Sequence, residues 1–137
     1  MTETQWKFKT KCAMNGNSIL IDTNFVLYLL NGNEYILNQI QGKEVFNSVI
    51  TEIELLSYSK ITESETSEIS NLLSSLTIIE INEKVKQNTI YLRKKHNTKT
   101  PDSIILGTTK YLNTPLFTAD KRLKKIETEV NIILHDI

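Results

Sequence analysis

Short apolar runs alternate with stretches of helical period along this chain, and that alternation already dictates a fold class. Ser18-Ile-Leu-Ile-Asp22 is a continuous apolar run closing on a polar cluster, the pattern of a strand buried on both faces. Phe25 to Leu30 reads as a helix stopped by the turn residues Asn31-Gly32-Asn33, and residues 34–41 as a second short helix stopped by Gly42. The β-branched and aromatic run Val45 to Val49 predicts a second strand. Thr51 then starts a helix that turns Ile53, Leu55 and Leu56 inward and carries Glu54 in its first turn. The Glu-rich residues 63–73 form a further helix with Ile69, Leu72 and Leu73 facing the core.

The second half repeats the alternation. Leu76 to Ile81 predicts a third strand, and Asn82 caps a helix carrying Val85, Ile90 and Leu92 that ends in Arg93-Lys94-Lys95-His96, cations that suit a helix C-terminus. Thr100-Pro101-Asp102 reads as a cap, a first-position proline and a first-turn acid, opening a helix to Tyr111 or Leu112. Asn113-Thr114-Pro115 turns the chain into the strand Leu116 to Thr118. Asp120 opens a short basic helix, and Asn131 to Leu134 is a last strand. Strands alternating with helices require right-handed crossovers and a covered parallel sheet. The expected fold is an α/β class, three-layer α/β/α sandwich around a central, mainly parallel sheet of four to five strands. Residues 1–17 are polar without a clean period and read as an N-terminal extension, with Met14 an alternative start and residues 18–137 the folded domain.

Length and composition narrow the picture. The 137 residues suit one domain, able to bury roughly two-thirds of the unfolded surface, and 39% hydrophobic with 23% charged residues is ordinary for a globular protein. No apolar run approaches the ~20 residues of a membrane span, residues 1–16 lack a signal-peptide core, and the single Cys12 leaves neither an internal disulfide nor a thiolate cluster. A cytoplasmic protein is expected. Sixteen basic residues balance sixteen acidic ones, which excludes a protein that coats nucleic acid by bulk charge. The balance is uneven, however. Residues 1–83 carry five basic and eleven acidic side chains, whereas residues 84–125 carry eleven basic and two acidic, a net +9. Those two acids are Asp102 and Asp120.

In open parallel sheets, ligands bind beyond the carboxyl ends of the strands, where strand order reverses. Asp22 ends the first strand, Asp120 follows the fourth by one residue beyond Thr118, Asp102 opens the helix leading into that strand, and Glu54 belongs to the helix after the second. If the first and fourth strands are neighbours, all four acids can converge on one cleft. Four carboxylates stay ionised together only with a cation, since like charges raise one another's pKa, and oxygen-only ligation suits Mg²⁺ or Mn²⁺. Such a site can activate water and neutralise charge on a phosphodiester. Each residue also has a plainer role. Asp22 and Asp120 can be helix caps, Asp102 a first-turn acid, Glu54 the partner of Thr51 in a capping box, and Thr118 an ordinary strand residue. Arg93, Lys94, Lys95, Lys99, Lys121 and Arg122 flank the two late aspartates and can hold RNA phosphates or simply be solvated helix ends. His96 and His135 read as surface or edge histidines, and Trp6 and Phe8 as part of a tail.

The segments Ile-Leu-Ile-Asp22-Thr-Asn24, Ile50-Thr-Glu-Ile-Glu54-Leu-Leu, Pro101-Asp102-Ser-Ile-Ile-Leu-Gly and Leu116-Phe-Thr118-Ala-Asp120 together resemble the PIN domain, and more narrowly the single-domain VapC-type toxins of bacterial toxin–antitoxin pairs. The resemblance spans about residues 18–134. It implies an Mg²⁺- or Mn²⁺-dependent endoribonuclease in which Asp22, Glu54, Asp102 and Asp120 are the metal-binding and catalytic acids, supported by Asn24 and Thr118. It also implies a homodimer and a cognate antitoxin whose C-terminal segment crosses the active-site groove, with the helices around 25–40 and 63–73 offering a surface to a second copy. The departures are Gly107 and Thr108 where alanines are commoner, Leu123 where an aromatic is frequent, and Ser57-Tyr58 in place of small residues; none removes a carboxylate. Two alternatives remain: a PIN-like module without activity, and a signalling receiver domain, which needs an acid pair after the first strand where Asp22 stands alone.

Overall fold

The computed structural model describes residues 17–137, so the readings placed on Trp6, Phe8, Cys12 and Met14 lie outside the described residues. The chain runs β1 (Ser18–Ile21), α1 (Thr23–Leu30), α2 (Glu34–Ile40), β2 (Glu44–Ser48), α3 (Val49–Leu56), α4 (Glu63–Ser74), β3 (Thr77–Ile79), α5 (Glu83–His96), α6 (Thr100–Leu112), β4 (Leu116–Thr118), a 3-10 helix (Lys121–Ile126) and β5 (Ile132–Leu134). The five strands form one sheet in the order β3-β2-β1-β4-β5, every pair parallel. The expected three-layer α/β/α architecture is the observed one.

Successive residues of β1 point to opposite layers. Ile19 and Ile21 enter one core with Phe25, Val26, Leu55, Ile69, Leu72 and Leu73 from α1, α3 and α4. Leu20 enters the other, with Leu92, Ile105 and Leu106 from α5 and α6 and with Leu123 and Ile126 of the 3-10 helix. A one-residue slip of β1 would exchange these cores, so burial on both faces fixes where the strand ends and where Asp22 begins. On β4, Phe117 and Leu116 divide between the same two cores, and the register Leu20↔Leu116, Ile21↔Phe117 brings the ends of β1 and β4 side by side. Asn97 and Asn113 close α5 and α6 in left-handed conformation, the usual way a helix ends before a reversal.

Several local expectations are corrected. The helix after β2 starts at Val49 with Ser48 as its cap, the Ser48 hydroxyl accepting from the Ile50 amide at 3.2 Å. Thr51 is therefore a buried helical residue and not a cap, and Glu54 lies in the second turn. Ile53, expected inward, is 51% exposed, as is Ile90, and buried Thr89 takes the inner face of α5 beside Val85 and Leu92. The cap position of α6 is Lys99, which makes no side-chain cap bond, because Thr100 is already helical. No helix among the described residues is long and apolar enough to cross a membrane.

Candidate active site

In this strand order the chain moves from β1 outward through β2 and β3, then returns to lay β4 on the free side of β1, making the β1–β4 junction the switch point of the sheet. A cleft of about 170 Å³ opens there, beyond the carboxyl ends of the strands. Its walls are Asp22, Thr23 and Asn24 from the β1–α1 turn, Glu54 from α3, Asp102 from α6, and Asp120 and Arg122 after β4; Ile105 and Leu123 supply apolar flanks. All four acids singled out in the sequence, and Asn24, border this one space.

Asp22 is the most buried of them, 5% exposed. One oxygen accepts from the Phe25 amide at 2.9 Å, capping α1, and the other accepts from the Thr118 hydroxyl at 2.5 Å. Capping and site membership are thus the work of a single carboxylate. Thr118 is fully buried, and its hydroxyl oxygen also accepts from the Asp120 amide at 3.0 Å. One threonine therefore joins the end of β4 to the end of β1. Glu54 accepts from the Thr23 hydroxyl at 2.9 Å, and that hydroxyl lies 2.9 Å from Thr51. Since Thr23 has one proton and gives it to Glu54, Thr51 donates to Thr23. Asp120 caps the 3-10 helix through the Arg122 amide and is gripped by the Arg122 guanidinium, Nε to Oδ1 at 3.0 Å and Nη2 to Oδ2 at 2.7 Å.

Charge and burial oppose each other in the cleft. Burial pushes the Asp22 carboxyl above its ordinary range, against the hydrogen bonds from Thr118 and Phe25, and the charges of Asp120 and Asp102 add to the rise. Asp102 is likewise raised by burial and then by Asp120, with Arg122 and Lys99 pulling the other way. Asp120 is held low, chiefly by the Arg122 hydrogen bonds. Ionising all the acids at neutral pH therefore costs free energy, which a divalent cation between them would offset. The donor set fits such an ion, being carboxylate oxygens with neither imidazole nor thiol on the walls. Among the described residues no three acid, His or Cys side chains are gathered into a metal shell; Asp120 is turned to Arg122 and Glu54 to Thr23.

A family profile described as the PIN domain matches residues 19–129. The chain belongs to the PIN domain family. Solved structures share the fold of this PIN domain at low sequence identity. A toxin-antitoxin complex from Klebsiella pneumoniae aligns at 24% identity and TM-score 0.74, over 87% of this chain and 99% of its own. VapBC2 from Rickettsia felis, bound to a DNA fragment from their promoter, aligns at 22% and 0.77 over the same shares. FitAcB from Neisseria gonorrhoeae aligns at 22% and 0.68, over 84% and 96%. No curated protein sequence matches the chain.

The cationic residues of this PIN domain divide. Arg122 lines the cleft, and Lys99 acts electrostatically on both Asp102 and Asp120. Lys95 turns away to Glu129 and Tyr91, Arg93 donates to the Thr100 hydroxyl, and Lys94 and Lys121 are exposed. His96 pairs with Glu129 at 3.0 Å near the surface, as expected. His135 is buried instead, its ring 4.5 Å from Phe117 and 5.4 Å from Phe25 with Nδ1 bonded to the Tyr35 hydroxyl, because its amide donates to the Thr118 carbonyl at 2.8 Å and so keeps the chain alongside β4, next to the apolar layer that holds Phe117. The sequence reading missed Thr23 as the residue that orients Glu54. The signal available was the Thr51–Glu54 spacing of three, which puts both side chains on one helical face, within reach of a hydroxyl beside Asp22.

Proposed function

We propose that this chain is a metal-dependent endoribonuclease, the toxin of a type II toxin–antitoxin pair, acting in the cytoplasm as a VapC-like PIN domain with residues 18–137 as the nuclease and 1–17 as an extension. The observation that carries the reading is that Asp22, Glu54, Asp102 and Asp120 border one cleft at the switch point of a PIN-fold sheet. Asp22, Asp102 and Asp120, with Glu54, would hold Mg²⁺ or Mn²⁺. The ion would supply Lewis-acid activation of water and charge neutralisation at the phosphodiester, giving 5′-phosphate and 3′-hydroxyl ends. The protein's own share is positional. Thr118 and the α1 amide of Phe25 fix Asp22, Thr23 fixes Glu54, and Asn24 borders the same space as a polar contact for substrate. Lys99, Lys121 and Arg122, with Arg93, Lys94 and Lys95 farther off, would receive RNA phosphates. A cognate antitoxin is part of the proposal, supported by structural neighbours determined as toxin-antitoxin and VapBC assemblies; a homodimer is part of it on the family resemblance alone.

The test is cleavage of a structured RNA in Mn²⁺ by the wild type and by Asp22→Asn. The variant should lose at least about a hundredfold, since losing an outer-shell partner alone costs up to that, and EDTA should abolish wild-type activity. Equal rates, or cleavage indifferent to EDTA, would contradict the proposal. A second reading, a PIN module that binds without cutting, draws on the ties of Asp120 to Arg122 and of Glu54 to Thr23; calorimetric titration with Mn²⁺ separates the two, the binding module giving no heat. The receiver reading loses its basis, because receivers use a 2-1-3-4-5 strand order and this sheet is 3-2-1-4-5.

A further inference from the structure

The geometry points to Arg122 as a positioning residue with two partners: it holds Asp120 while the cleft lacks a divalent cation, and is released to an RNA phosphate when the cation takes Asp120. The inference rests on the nuclease reading for the identity of the second partner. Both carboxylate oxygens of Asp120 are engaged by the guanidinium, Nε on Oδ1 at 3.0 Å and Nη2 on Oδ2 at 2.7 Å, and the Arg122 amide adds a third bond to Oδ1 at 3.0 Å. The planar fork matches a carboxylate bidentately. A cation that took Asp120 would therefore compete with the fork for the same oxygens.

Arg122 is also suited to let go. Its side chain is 68% exposed, against 17% for Asp120, so the guanidinium lies largely in solvent, where even a bidentate pair is worth far less than the charge of a divalent cation on the same oxygens. The amide bond from Arg122 to Oδ1 is independent of the side chain and keeps the 3-10 helix capped after release. The freed guanidinium stays at the rim of the cleft, where the same fork geometry that fits a carboxylate fits a phosphate. Occupancy of the acids and reception of the substrate's charge are then coupled through one side chain. Lys121 is a neighbouring cation that makes no such fork, which supplies the control.

The measurement is Mn²⁺ affinity by calorimetry on the full chain, for wild type, Arg122→Gln, Arg122→Lys and Lys121→Gln, with the KM for RNA measured alongside. Arg122→Gln should bind Mn²⁺ about two- to fivefold more tightly than wild type, the range spanned by exposed ion pairs, and should raise the KM for RNA by a similar factor. Lys121→Gln, with the same loss of charge, should tighten Mn²⁺ binding less, and Arg122→Lys should fall between wild type and Arg122→Gln on both readouts. Wild type binding Mn²⁺ with Arg122→Gln no tighter than Lys121→Gln would overturn the exchange and leave the nuclease reading standing. An unchanged KM in Arg122→Gln would overturn the release to substrate. A wild type that binds no Mn²⁺ would overturn both readings.

Discussion

Asp22 joins two demands that pull against each other, since it must be buried to cap α1 and meet Thr118, and ionised to serve a cation. The shift has a definite sign. Burial raises the folded-state pKa of Asp22, so the folded protein binds this proton more tightly than the unfolded chain, and the penalty is full above the folded value and fades as pH falls to the ordinary carboxylate range. Relative to wild type, the metal-free stability of Asp22→Asn, which keeps a good cap, should therefore move in the variant's favour as pH rises from acid to neutral, while the variant loses activity and the stabilisation that Mn²⁺ gives the wild type. Urea midpoints across pH, with and without Mn²⁺, check this. Thr118→Val keeps the shape but removes the donor to Asp22 and the acceptor for the Asp120 amide. It should cost about 1–3 kcal/mol and reduce cleavage, with Thr118→Ser recovering most of both. At this scale Asp22, Asp102 and Asp120 were legible because strand ends and helix starts mark them, whereas Glu54 borders the cleft from the second turn of α3 and not from the helix start expected for it. The Thr23 and Arg122 partnerships were not legible, because the first depends on which rotamer crosses the gap between α1 and α3 and the second on the rotamer of an exposed side chain two residues from Asp120.

The elements were legible where periodicity was long and failed at short junctions. Val49 is β-branched and read as the end of a strand, yet it opens the helix that buries Thr51 and Leu55, a tertiary override of propensity. The same limit applies to Gly107, which looked like a small departure from the family. A methyl there would meet Thr89 Oγ1 at 2.7 Å and the Thr89 amide and Val85 carbonyl at 3.1 Å. The Thr89 hydroxyl is itself bonded to Val85 at 2.7 Å and cannot swing away freely. Gly107→Ala should thus pry α5 from α6 at a cost of about 1–3 kcal/mol, measured by thermal melting, and Thr89→Ala in the same chain should recover part of the loss. Because α6 carries Asp102, activity should fall along with stability.

Across the whole molecule, fold class and parallel sheet followed from alternation alone, whereas strand order did not. Nothing local states that β4 returns beside β1, and the cleft exists only because it does. The burial of His135 was hidden for the same reason, its packing partners Phe25 and Phe117 being remote in sequence. Burial lowers its pKa, so the folded state resists protonation and stability is lost as pH falls below the ordinary histidine value of about 6.5; His135→Gln should flatten that loss in denaturation midpoints taken between about pH 7 and 5. The charge balance also takes on a spatial meaning, since Asp102 and Asp120, the two acids of the basic stretch 84–125, both face the cleft. The most direct test of the central claim is anomalous diffraction from crystals of the full chain soaked in Mn²⁺. The expected result is an anomalous peak in the cleft within direct coordination distance of Asp22 and at least one of Asp102 and Asp120, with the Arg122 fork displaced from Asp120. A saturating soak that leaves the cleft without a peak and the fork in place would contradict it.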